Sequence, residues 1–179
     1  MKKVSTLATL MFALILTTVA SAQDFSGMDK SPMDMAAYPT DYKVSDKSVR
    51  IIYGRPQLKG RSLEELAPSG KVWRTGANEA AEITFYEDVN FGGKDIKAGT
   101  YSLFTIPGKD EWTVILNKNL NQWGSYFYDE SADVARVSVP NGSDAAPLEE
   151  FSIAFKDIKG GAEMVMGWDK TRVAVPIMM

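Results

Sequence analysis

Four of the six arginines, Arg50, Arg55, Arg61 and Arg74, fall between positions 50 and 74, joined there by Lys59 and Lys71. A guanidinium is a planar fork that matches a carboxylate or a phosphate. Arg55 and Arg61 stand in Gly/Pro-rich sequence of the kind that makes loops, where binding groups gather. The cluster therefore has two readings. It is a pocket for an acidic small molecule or sugar acid, or it pairs with Glu64, Glu65, Glu79 or Glu82 and fastens loops to a sheet.

The run Trp73 to Glu79 packs an indole, a guanidinium, a hydroxyl, an amide and a carboxylate around Gly76. An indole can stack on a sugar face while Asn78 and Glu79 bond its hydroxyls, and Gly76 permits close backbone approach. The structural alternative puts Trp73 in the core and pairs Arg74 with Glu79. A second aromatic and amide cluster, Asn117, Asn119, Asn121, Gln122, Trp123, Tyr126 and Tyr128, is either a sugar platform or a lid closed by Trp123 over one end of the fold. The candidate ligand contacts are thus Arg55, Arg61, Trp73, Arg74, Asn78, Glu79 and Trp123.

Absent residue types narrow the chemistry. With no histidine and no cysteine, the chain cannot assemble a Ser-His-Asp triad, a Cys-His pair, a typical zinc site or a typical haem ligand set. What remains is carboxylate acid/base chemistry, an unusual Lys or Tyr base, or oxygen-ligated calcium or magnesium. The minimal apparatus is two carboxyl groups flanking a glycosidic bond, and the acids are too many to single out a pair: Glu79 with Glu82, Asp88, Asp129 with Asp133, and Glu149 with Glu150. Asp129 to Asp133 has acidic spacing but lacks the glycine and terminal glutamate of a calcium loop. No Gly-x-x-x-x-Gly-Lys phosphate cradle occurs. Met28, Met33 and Met35 could offer thioethers only to Cu(I). No cofactor and no metal are expected, and a binding role needs less than an enzymatic one.

These residues must be positioned by strands. After an opening that reads as a signal peptide (1–22: Lys2, Lys3, an apolar stretch, then Ala20-Ser21-Ala22 before Gln23), residues 23–46 are polar and Met-rich and read as an extended arm. Residues 47–179 then read as one domain. Runs at 48–53, 82–86, 100–106, 111–117, 134–139, 150–155, 163–168 and 172–177 have strand character, several with clean alternation: Phe151, Ile153 and Phe155 on one face, and likewise Trp112, Val114 and Leu116. Gly92-Gly93, Pro107-Gly108, Asn141-Gly142 and Gly160-Gly161 punctuate them as tight turns. The expected fold is an all-β antiparallel β-sandwich, jelly-roll-like or a partly open barrel, with one helical turn at 62–66 capped by Ser62 and Glu65. Trp112, Trp168, Met164 and Met166 are expected in its core.

Several strings resemble an uncharacterised family of exported bacterial proteins, domain-of-unknown-function family 2911 (DUF2911). They are Tyr53-Gly54-Arg55-Pro56, Lys59-Gly60-Arg61, the run from Gly70 through Trp73-Arg74-Thr75-Gly76-Ala77-Asn78-Glu79, the run from Ala98 to Pro107, Trp112-Thr113-Val114-Ile115, Gln122-Trp123-Gly124, Trp168-Asp169 and Thr171-Arg172-Val173. The resemblance implies a β-rich exported domain and carries no reaction with it.

The formal charge of −3 becomes more negative once Lys2 and Lys3 leave with the signal, which argues against nucleic acid or an anionic membrane as partner. No later segment is apolar enough to span a bilayer. The expected function is non-catalytic binding of a polar or anionic small ligand, plausibly a carbohydrate, in the periplasm or beyond. The alternatives are a glycan hydrolase using two carboxylates and a structural or assembly subunit of the cell envelope.

Overall fold

The computed structural model describes residues 24–179; the proposed signal peptide lies outside them. Ten strands follow one another: β1 (Met33–Tyr38), β2 (Val49–Gly54), β3 (Ala81–Phe85), β4 (Val89–Phe91), β5 (Lys94–Ile96), β6 (Gly99–Ile106), β7 (Glu111–Asn117), β8 (Asp133–Pro140), β9 (Gly142–Ile158) and β10 (Gly161–Met178). A single helical turn, α1 (Leu63–Leu66), stands between β2 and β3. Ser62 Oγ accepts from the Glu65 amide and Glu65 reaches back to the Ser62 amide, the reciprocal cap that the sequence announces. Among the described residues no helix is long and apolar enough to cross a membrane.

All pairings are antiparallel. A six-stranded sheet, in the order β1-β2-β3-β6-β7-β8, packs on a four-stranded sheet, β5-β4-β10-β9, and the two do not close into a barrel. The four predicted turns join β4 to β5, β6 to β7, β8 to β9 and β9 to β10. Between the sheets lie the inward residues of the alternating strands, with Phe151, Ile153, Trp112, Val114, Leu116, Met164, Met166 and Trp168 all buried. At the centre Trp73 stacks on Trp168, with ring centroids 5.5 Å apart and planes 18° apart, and meets Trp112 and Phe151 edge-on. Such offset-stacked and edge-on ring pairs contribute beyond the area they bury.

Three departures from the expected strand plan have physical causes. Residues 163–168 and 172–177 are one strand, β10, whose register against β9 shifts on both sides of Asp169. Asp169 has φ +47°; this bulge moves the inward set from Met164, Met166 and Trp168 to Val173, Val175 and Ile177, an offset that a continuous period of two would not allow. β1 falls inside the expected arm, paired with β2 residue for residue from Met33↔Gly54 to Tyr38↔Val49, so the sandwich starts ahead of residue 47. On β7, Asn117 is buried although it lies on the face opposite Trp112, Val114 and Leu116. There the outer face of the large sheet carries a second small core, Ala80, Phe104 and Ile115, packed by Val72, Ile106 and Tyr128.

The free edge of β9 is strapped by the chain leaving β2. The Phe151 amide donates to Pro56 O, Leu58 N donates to Glu149 O, and the Ile153 amide donates to the Tyr53 hydroxyl at 2.9 Å. The strap links the two sheets directly.

Candidate functional site

The turn that carries Asn78 and Glu79 lies against the end of β2 because glycine faces backbone there. A Cβ on Gly54 would stand 2.5 Å from the Ala77 carbonyl oxygen, and one on Gly76 3.0 Å from the Gly54 oxygen. Thr75 and Asn78 take φ +53° and +62° to complete the bend. The loop after β7 is then clipped to this turn: Ala80 N donates to Gln122 O, Gly124 N donates to Asn78 O, and Glu79 bridges Trp123. Asn117 anchors the other end of the loop, donating to Asp129 O and Asp133 Oδ1 and accepting from the Asn119 amide.

These contacts enclose a groove on the outer face of the six-stranded sheet. It consists of two adjoining hollows of about 260 and 290 Å³ that share Met33, Gly54, Ala77 and Glu79. One hollow is floored by Ile52 and Ala80 and edged by Glu82 and Asn121. The other is walled by Trp123 and by Asp29, Ser31 and Asn78. Trp123 is 55% exposed, so its indole is free to meet a ligand, and Tyr126 and Phe127 extend the exposed aromatic surface of the same loop. The Asp29 carboxyl is held below its usual range by the Ser31 amide and by the Asn78 side chain, which both donate to it. Glu82 Oε1 accepts from the Asn121 amide at 2.8 Å.

Of the seven candidates from the sequence, Asn78, Glu79 and Trp123 converge here, and four stand elsewhere. Arg55 is turned onto the β9 edge, donating to Phe151 O, Ser152 Oγ and Asp34 Oδ2. Arg61 is exposed and folds back onto the carbonyls of Gln57 and Leu58. Trp73, 5% exposed, belongs to the core. Arg74 forms no ion pair with Glu79 or Glu82 among the described residues, and its Nε is buried without an acceptor. None of the clustered arginines lines the groove. The cluster also fails to pair as the structural reading expected: the partner of Arg55 is Asp34, at 3.0 Å.

The hollow beside the β4–β5 hairpin, about 480 Å³, has its charged lining paired internally, Lys97 with Asp88 at 2.6 Å and Asn90 with Asp95 at 2.7 Å. Asp129 and Asp133, the weak calcium candidates, accept from Ser131 and from Asn117, Tyr128 and Arg136 respectively.

Residues 31–177 match the family model described as a protein of unknown function (DUF2911). The chain belongs to that family. Neither a curated protein nor a solved structure matches it. The DUF2911 match takes in β1 and every groove residue except Asp29, which lies just ahead of it. Asp29, Ser31 and Ala80 line the groove without any feature of the sequence that singles them out. Met33, Glu82 and Asn121 drew notice for other reasons, and only the pairing of β1 with β2 and the clipped loop bring them beside Glu79.

Proposed function

We propose that this DUF2911 protein is an exported, non-catalytic binding module for a small polar ligand of carbohydrate type, held in the groove between Trp123, Asn78 and Glu79. The observation that carries the reading is the convergence of a half-exposed indole with an amide and a carboxylate over an apolar floor. That is the mixture of one stacking wall and a few directed polar groups by which concave sites orient polyhydroxy ligands. The arginines that suggested an anionic ligand do not line the groove, so polar recognition is favoured over anionic. Binding is favoured over glycan hydrolysis because the carboxyls with displaced titration, Asp29, Glu65, Asp88 and Asp129, are all displaced downward by hydrogen bonds. A general acid for glycoside cleavage needs the opposite displacement. The basic start and Ala20-Ser21-Ala22 support export, with Gln23 as the mature N-terminus.

Tryptophan emission tests this directly, since Trp73, Trp112 and Trp168 are buried and Trp123 is not. Neutral, cationic and anionic trisaccharides are titrated while acrylamide quenching is recorded. At least one should protect the exposed indole, and the effect should vanish in Trp123→Phe. No protection by any of them up to about 10 mM, the weak limit of specific recognition, refutes the reading.

A further inference from the structure

Every charged side chain that lines the groove is an acid. We infer that its ligand carries a positive charge, a protonated amine on a polyhydroxy body, with an amino sugar as the simplest member. This rests on the groove being the binding site and adds the sign of the ligand. Asp29, Glu79 and Glu82 edge the two hollows, and no lysine or arginine lines either one. The ion pairs among the described residues engage other acids: Asp34, Asp88, Glu130, Asp133 and Asp144. Glu79, on the divide between the hollows, makes no side-chain hydrogen bond to a described residue. Lys30, adjacent to Asp29 in the chain, lies outside the lining.

Trp123 adds to the same preference. The face of an indole attracts a cation through its quadrupole, and the backbone bridge of Glu79 to Trp123 brings both residues to the lining of one hollow. A neutral sugar would gain the stacking and hydroxyl bonds but leave the negative charge of the carboxylates uncompensated. An anionic sugar would meet three like charges, whereas an amine meets both the carboxylates and the ring. Met33, Ile52, Ala77 and Ala80 supply the apolar surface on which the body of such a ligand rests.

The experiment compares β-1,4-linked trimers of glucosamine, N-acetylglucosamine and glucose, each titrated against the full mature chain with Trp123 protection as the readout. The glucosamine trimer should bind about tenfold more tightly than the two neutral trimers at low salt, since each exposed carboxylate contributes a few-fold, and the gap should close in about 0.5 M NaCl. Glu79→Gln should cost the glucosamine trimer several-fold more affinity than it costs the neutral trimers. Glu87→Gln is the control, because it changes the net charge equally from beyond the opposite end of β3. Equal affinity for charged and neutral trimers overturns the inference while the binding reading stands. So does an equal loss in Glu79→Gln and Glu87→Gln. Binding of none of these trimers overturns the inference, and failure of an anionic trisaccharide beside them overturns the binding reading as well.

Discussion

Arg55 is where a ligand contact and a structural tie give opposite results on substitution. Its guanidinium donates to Phe151 O at 3.1 Å, to Ser152 Oγ at 2.7 Å and to Asp34 Oδ2 at 3.0 Å, joining the end of β2 to β1 and to the edge of β9. Two bonds to neutral acceptors are worth about 1 kcal/mol each net. The Asp34 pair, with side chains 33% and 41% exposed, adds at most about 1 kcal/mol after solvent screening. Arg55→Ala should therefore cost about 2–3 kcal/mol, lowering the melting temperature by roughly 5–10 °C for a domain of this size. Arg55→Lys should recover only part of this, because an ammonium at one point cannot serve three acceptors. Urea unfolding of Arg55→Ala, Asp34→Asn and the double variant isolates the pair, whose coupling should be under about 1 kcal/mol. An Arg55→Ala protein within about 0.5 kcal/mol of wild type would refute the structural assignment and return Arg55 to the list of ligand contacts.

Gly54→Ala should destabilise the fold by about 1–3 kcal/mol, because the added carbon would stand 2.5 Å from the backbone oxygen of Ala77; a melt equal to wild type would show that the turn is not seated against β2. The Tyr128 phenol is pushed well above its ordinary value of 10.0, first by burial and then by its hydrogen bond to Asp133. The fold thus favours the neutral phenol: this contribution is complete below about pH 10 and is lost as pH rises through the raised value. Denaturation followed from pH 8 to 12 should show stability falling above about pH 10, with a shallower fall in Tyr128→Phe. Equal slopes in the two proteins would remove Tyr128 from the account.

Strands that alternate over six or more residues were legible because burial of one face imposes a period of two on the sequence, as in Trp112, Val114 and Leu116. β1 was not legible. Met-Asp-Met-Ala-Ala-Tyr has no β-branched residue, its outer face keeps Met33 and Met35 exposed, and Pro32 and Pro39 bracket it as they would a loop. β4 and β5, with three residues each, are too short to show any period. In the site, Asn78 and Glu79 stood out because unlike polar groups crowd around one glycine, and Trp123 because it sits in amide-rich loop sequence. The arginines misled for a geometric reason. Residues close in the chain diverge along a strand and its following turn, while Asp29, Glu82 and Asn121 are joined only by strand pairing and loop clipping, which leave no local signature.

The strap across β9 has a consequence for how the chain behaves in company. Phe151-Ser152-Ile153-Ala154-Phe155 is an uncharged run of strand-forming residues on an outermost strand, the kind of segment that recruits a matching strand from another molecule when its edge is bare. Here the outward amides of Phe151 and Ile153 are already given to Pro56 O and the Tyr53 hydroxyl, and Phe151 O is taken by Arg55. Residues 53–58 thus work as a guard on solubility as well as a tie between sheets. Loosening them exposes a template for cross-β growth.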